Sequence, residues 1–265
     1  MEGKGPDRQK RVVRSTGLAL VLLTCAAFFT LDGKDVSVLQ GVRDTLLNMK
    51  TMFLMPRMSH FGFGEALRQV GVTLGLAFLT TLFGASLALL FGLLSAKNLT
   101  SKRASAVIKG CAAFIRAVPT VLWVLIFAVA AGLGSVAAVI GMTFHSLGYL
   151  VKAYSESFEE IDEGVIEALR AGGAGWWQIV CQAVIPSSLT YLVSWTFLRF
   201  EINFAVAVAM GAAAGAGGIG FDMFMASAFY FDLREIGAIT YFILVFAVAL
   251  ELVAARLKAN MKLNV

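Results

Sequence analysis

Apolar residues in this chain run in long blocks, with polar residues gathered between the blocks rather than spread along them. Six blocks stand out, at residues 15–31, 69–95, 113–133, 136–154, 184–207 and 236–255. Each is close to the ~20 residues that a helix needs to cross about 30 Å of hydrocarbon. Between the first two blocks, Asp32 to Glu65 is polar and amphipathic and contains Pro56, which predicts an external loop with an interfacial helix. Ser155 to Ala183 is the longest connection on the opposite side. No tandem repeat or low-complexity linker divides the chain. The expectation is an all-α membrane protein with six transmembrane helices in a single domain over residues 1–265.

Composition strengthens this: 58% of residues are hydrophobic, 15% are charged, and the mean hydropathy is +0.80, far from an ordinary soluble domain. Charge then sets the orientation. Lys4, Arg8, Lys10, Arg11 and Arg14 precede the first block as in a signal peptide, but Asp32 to Asp35 follow it without a small-x-small cleavage site, so an uncleaved first helix is expected. With the N-terminus inside, fifteen basic residues fall on inner segments, including Lys97, Lys102, Arg103, Lys109 and Arg116, against five on outer ones. Positive loops stay in the cytoplasm, so both termini are predicted there. The net charge of +5 is scattered beside apolar blocks and argues against a nucleic-acid partner. Cys25, Cys111 and Cys181 lie in apolar or helical stretches without metal-ligand spacing and are expected to be small apolar fillers.

The inner connection reads SESFEEIDEGVIEALRAGGAGWWQIVCQAVIP up to Pro186. Six acidic residues precede a cluster at Gly172, Gly173 and Gly175. Acidic residues suit a helix start and glycines permit the left-handed turn that ends one. A short helix, a glycine bend and a second helix over Trp176 to Ala183 are predicted. Glu167 and Ala168, then Gly173, then Pro186 thirteen residues on, resemble the E-A-A, Gly, I-x-L-P signature of the inner-membrane permease subunits of bacterial binding-protein-dependent ABC importers. Leu169 and Ala183 depart from it. Ile115 to Gly134, Gly148 to Glu160 and Leu198 to Phe221 resemble, in order, the phosphonate-type branch of that superfamily, although Ala205 stands where the branch usually has a basic residue.

The resemblance implies a cytoplasmic coupling helix between the fourth and fifth spans, with Glu167, Ala168, Gly173 and Pro186 serving docking to an ATPase. It implies two cytoplasmic ATPase subunits that hold ATP and Mg, a second permease copy, and a periplasmic or lipid-anchored binding protein. The solute would be phosphonate or a related phosphorus oxyanion, carried across the bacterial inner membrane. No cofactor, metal or covalent catalysis is expected of this chain itself. An ion-coupled anion transporter, or a permease for another small solute, remain the alternatives.

The stretch GAAAGAGGIGFD contains G-x-G-x-x-G at Gly215, Gly217 and Gly220. A dinucleotide fingerprint needs a preceding strand, whereas a membrane helix is predicted over Pro186 to Met210. No G-x-x-x-x-G-K-[ST] occurs, so ATP hydrolysis must belong to another subunit. Gly215, Gly217, Gly218 and Gly220 are instead expected to form a broken segment that bends during gating; small-residue helix packing is the open alternative. Arg199, Glu201 and Asn203 lie past mid-bilayer in the fifth span. If Arg199 faces a cavity, its guanidinium fork suits an oxyanion; structural pairing with another helix is the alternative. His60 and His145 lack ligand spacing and read as structural. Trp176 and Trp177 are expected to anchor the loop at the membrane interface, and Pro119 and Pro186 to shape helix ends.

Overall fold

The computed structural model describes residues 6–30 and 37–262. Lys4 and the segment from Asp32 to Asp35, used above for orientation, lie outside them. All regular structure among the described residues is helical. The chain divides into a unit over residues 1–49 and a larger one over 50–265. The first holds α1 (Pro6–Thr30) and most of α2 (Val38–Leu54), and α2 matches the helix expected in the outer loop. The larger unit holds α3 (Phe63–Ser95), α4 (Lys102–Ala117), α5 (Thr120–Ala131), α6 (Ser135–Glu159), α7 (Glu163–Ala171), α8 (Trp176–Ile179), α9 (Ile185–Ala214), α10 (Ile219–Ala228) and α11 (Leu233–Lys262). Among the described residues five helical stretches are long and apolar enough to cross a membrane, and there are six if the bent pair of α4 and α5 counts as one crossing.

That pair corrects the third predicted span. It starts at Lys102, not residue 113, and bends by 90° at Val118 and Pro119. Proline cannot continue a helix but starts one well, and Pro119 is the N-cap of α5. Lys102, Arg103, Lys109 and Arg116 therefore ride on a helix instead of a loop. The fifth span is corrected too. It runs without interruption from Trp176 to Ala214 through a π-helical turn at Val180–Val184, where Ile185 N–H reaches back to the Val180 carbonyl. Pro186 lacks a donor and its ring crowds the preceding turn, and widening that turn accommodates both.

Small residues let the central helices meet. The buried stripe of α3 includes Thr73, Ala77, Thr81, Gly84, Ala88 and Gly92, spaced at three to four residues; Thr73 meets the start of α10, and α3 packs most extensively on α6 and α9. A Cβ at Gly84 would stand 2.9 Å from Ser146 Cβ, and one at Gly92 would stand 3.0 Å from Tyr154 Cβ. In lipid, where apolar side chains gain little by leaving the solvent, such close backbone approach is what holds helices together. Three apolar clusters result: one around Leu150, Phe158 and Val184, one around Met142, Phe204 and Met210, and one around Val70, Ile219 and Ile239. All three cysteines, read above as small apolar fillers, are free and exposed on the single chain. Hydropathy alone does not separate a bundle interior from a lipid-facing surface.

Candidate translocation path and coupling surface

Arg199 is 3% exposed at the centre of a polar network that joins three helices. Its Nε donates to Ser146 Oγ at 3.0 Å; Ser146 donates to Asn203 Oδ1 at 3.1 Å, and Asn203 Nδ2 donates to Thr81 Oγ1 at 2.9 Å. The guanidinium carbon lies 5.2 Å from the centre of the Tyr149 ring, a cation–π distance. Every one of these partners is uncharged. Among the described residues no carboxylate pairs with Arg199, so its charge is solvated but not neutralised. Glu201 is half-buried on another face and pairs with nothing described, as its two-residue offset from Arg199 predicts. Asn203 shares the Arg199 face. Thr81, Ser146 and Tyr149 carried no signal in the sequence, because they reach the site from helices distant in the chain.

The glycine stretch divides by position. α9 ends at Ala214, and Gly215, Gly217 and Gly218 take φ of 61°, 80° and 73°, values that L side chains rarely adopt. α10 then folds back beside α9. A Cβ at Gly218 would overlap Thr73 Oγ1, and one at Gly220 would overlap the Val208 carbonyl. Ile219 N–H donates to Thr73 Oγ1 at 3.0 Å, fixing the start of α10 to α3. The break and the packing are both present, on different glycines. A helix precedes the motif, so the dinucleotide reading fails on its first requirement.

α7 is amphipathic. Ile166 is buried in the first cluster while Glu167 and Ala168 face outward. Asp162 caps its start, accepting from Gly164 N–H at 2.8 Å. Its end is a complete Schellman motif: Ala174 N–H bonds to Leu169 O, Gly173 N–H to Arg170 O, and Gly173 has φ of 84°. Exposed Gly173 is the left-handed residue the sequence predicted. Two bonds fix this surface to the α3–α4 connection, Arg170 Nη2 to Asn98 O at 2.8 Å and Trp176 Nε1 to Leu99 O at 3.1 Å. Glu159, at the end of α6, accepts from Lys97 N–H at 2.8 Å and Lys109 Nζ at 2.7 Å. Trp177 stands clear, at 64% exposure, while Trp176 is half-buried and tied to Leu99. Pro186 lies apart from this surface, within the long fifth helix.

At the other end of the bundle, Glu235 is buried and its carboxylate accepts from Ser59 N–H, His60 N–H and, at 2.6 Å, His60 Nδ1. Asp232 caps α11, accepting from Arg234 and Glu235 N–H, and receives Ser59 Oγ–H at 2.8 Å. That hydrogen bond holds the Asp232 carboxyl below its ordinary value against burial, and the two backbone donors add to the shift. Ligand-type atoms of His60, Asp232 and Glu235 lie within 4.8 Å of one another. Sequence spacing could not show this cluster, since 172 positions separate its first two members. The Glu235 oxygens are already engaged by His60 and Ser59, which makes the cluster a clamp between the segment before α3 and the start of α11.

The sequence profile of the family described as binding-protein-dependent transport system inner membrane component matches residues 88–262. The chain belongs to this family. It is therefore a multi-pass protein of the inner membrane. It is 32% identical over 178 residues to the phosphate-import permease protein PhnE of Mycolicibacterium smegmatis, covering 66% of this chain and 33% of that protein. It is 33% identical over 148 residues to the phosphite transport system permease protein PtxC of Stutzerimonas stutzeri, covering 56% and 53%. The aligned stretch thus spans about a third and about half of the length of these relatives. Among solved structures, the MetNI methionine ABC transporter in its inward-facing conformation superposes with a TM-score of 0.67, covering 77% of this chain and 99% of that one at 23% identity. At that identity the likeness establishes the fold.

Proposed function

We propose that this chain is the membrane-spanning subunit of an ATP-driven importer that carries phosphonate or a related phosphorus oxyanion, such as phosphite or phosphate, into the cytoplasm. One observation carries the reading: the family match runs through the α7–α8 turn, Arg199 and the glycine break, and relatives within it are named for phosphate import and phosphite transport. Arg199 supports the solute class, since a buried guanidinium without a counter-ion suits an anion. With Glu201 and Asn203 it would line the path within one permease domain over residues 1–265. The excess of basic residues on inner segments supports cytoplasmic termini and a cytoplasmic α7 and α8.

On this reading Glu167, Ala168 and Gly173 form the coupling surface that docks on the ATPase, and Pro186 shapes the helix behind it. Two ATPase subunits hold ATP and Mg, a second copy of the permease completes the path, and a periplasmic or lipid-anchored protein delivers the solute. The chain binds no cofactor of its own and no nucleic acid. ATPase closure acts by binding inward and outward states unequally. Arg170 and Trp176 connect the docking surface to the α3–α4 connection, giving that preference a route into the membrane helices. Gly215 and Gly217 supply bending, while Gly218 and Gly220 supply packing. The test is uptake of labelled phosphite or methylphosphonate into proteoliposomes that contain the permease, its ATPase and its binding protein. ATP-dependent uptake is expected. Full-rate transport by the permease alone, without nucleotide, would overturn the reading.

A further inference from the structure

Arg116 stands at the C-terminal end of α4, just before the 90° break. Its Nε is buried and donates to nothing, and no described residue pairs with its charge. Gly148 of α6 brings the two helices together here: a Cβ on it would lie 3.0 Å from the Ala112 carbonyl and 3.2 Å from Arg116 Cγ. One turn further along α6, Lys152 joins Arg116, Lys109 and Glu156 around a cavity of about 160 Å³. Lys109 is neutralised by Glu159 at 2.7 Å, and Lys152 lies 3.7 Å from Glu156. The Arg116 guanidinium is left uncompensated.

Arg199 meets α6 at Ser146 and Tyr149 and Arg116 meets it at Gly148, so Arg199, Arg116 and Lys152 form a row within about 9 Å along α6. Lys152 is 53% exposed on the single chain. Charges at this depth avoid hydrocarbon and face a bundle interior or water; Arg199 is enclosed in the bundle, and Lys152 is the end of the row that lies open.

We propose that the α4–α6 groove is an oxyanion station on the inner half of the path, where Arg116 and Lys152 hold a tetrahedral phosphorus oxyanion after it passes the level of Arg199. This rests on the importer reading above and adds two residues to it. Arg116 offers two parallel N–H donors to two oxyanion oxygens, and Lys152 adds a mobile point charge. One uncompensated cation makes the station weak, which a path requires if the solute is to leave. A lipid headgroup shares this chemistry. The apolar cleft lined by Ile108, Cys111 and Ile115 adjoins this cavity and shares Ala112 and Val151 with it, so the test separates a free solute from a bound headgroup.

The test uses the whole transporter in proteoliposomes with phosphite as probe, reading uptake and ATP hydrolysis together. Arg116→Gln and Lys152→Gln are each expected to raise the ATP spent per phosphite imported roughly tenfold, the effect of one lost charge-assisted hydrogen bond. Lys152→Gln changes an exposed side chain and leaves the helix contact intact, and Arg116→Lys, which keeps the charge but not the fork, is expected to recover part of the coupling. Wild-type coupling in both Gln variants overturns the station and leaves the importer reading standing. A wild-type transporter that moves neither phosphite, phosphate nor methylphosphonate overturns both. Anionic phospholipid retained by the wild type and lost in Arg116→Gln, with coupling unchanged, reassigns the groove to a headgroup and overturns the proposal.

Discussion

A methyl group at Gly218 would overlap Thr73 Oγ1, whereas one at Gly215 meets nothing within 4 Å. Both glycines have positive φ, so substitution at either costs about 1–3 kcal/mol of backbone strain, but only Gly218 adds a clash. Gly218→Ala is expected to lower the yield of assembled permease, while Gly215→Ala assembles and slows uptake; size-exclusion profiles and transport rates separate the two. Arg199→Gln is the second test at this scale. Its neighbours Ser146, Asn203 and Thr81 are neutral, so the variant is expected to assemble normally and to import phosphite roughly tenfold more slowly. Normal import would leave Arg199 a structural group. The sequence already showed Arg199 to be an intramembrane charge. It could not show that its neighbours are hydroxyls and an aromatic ring, because those come from α3 and α6 and no local pattern marks them.

Two helix ends carry separable energies. At α7, Gly173 holds the left-handed position of a Schellman turn, and Gly173→Ala is expected to cost about 1 kcal/mol there. Exposed Glu167 faces away from that turn, so Glu167→Lys is expected to leave the melting temperature unchanged and to reduce retention of the ATPase on an affinity column. At α11, the Asp232 cap has a depressed carboxyl pKa, held down chiefly by Ser59. A depressed folded-state value means the stabilisation is complete above the ordinary value of 3.8 and fades as pH falls through it toward the folded value. The melting temperature of the detergent-solubilised protein is expected to fall more steeply below about pH 4 in the wild type than in Asp232→Asn. The helix, bend and helix of α7 and α8 were legible from acidic residues and glycines in sequence. The α11 clamp was not, since Ser59 and His60 meet it only across the fold.

Across the whole molecule, orientation is the quantity to measure. Single cysteines on a background lacking Cys25, Cys111 and Cys181 report it through a membrane-impermeant maleimide. Met58→Cys is expected to label in intact cells and Glu163→Cys only after permeabilisation, and the reverse result would invert the topology and remove α7 from the cytoplasm. The bent α4–α5 pair belongs to this scale as well. It carries Arg103 and Lys109 up to Arg116 along one side of the bundle, which turns what read as an inner loop into a wall of the α4–α6 groove.

Length of apolar runs, the distribution of Lys and Arg, and the positions of glycine and proline are local properties, and by themselves they determined that this chain is a helical membrane protein, roughly where it crosses, and where its helices stop or turn. The spacing of Glu167, Ala168, Gly173 and Pro186 carried the family as well. The tertiary structure alone decided which polar side chains meet: Arg199 with Ser146, His60 with Glu235, Arg116 with the cavity beside Lys152. It also decided which glycines end a helix and which pack. Backbone preference is written within a few residues, whereas the partners of a buried charge are supplied by helices dozens or hundreds of positions away, and hydropathy does not record which way each helix is turned.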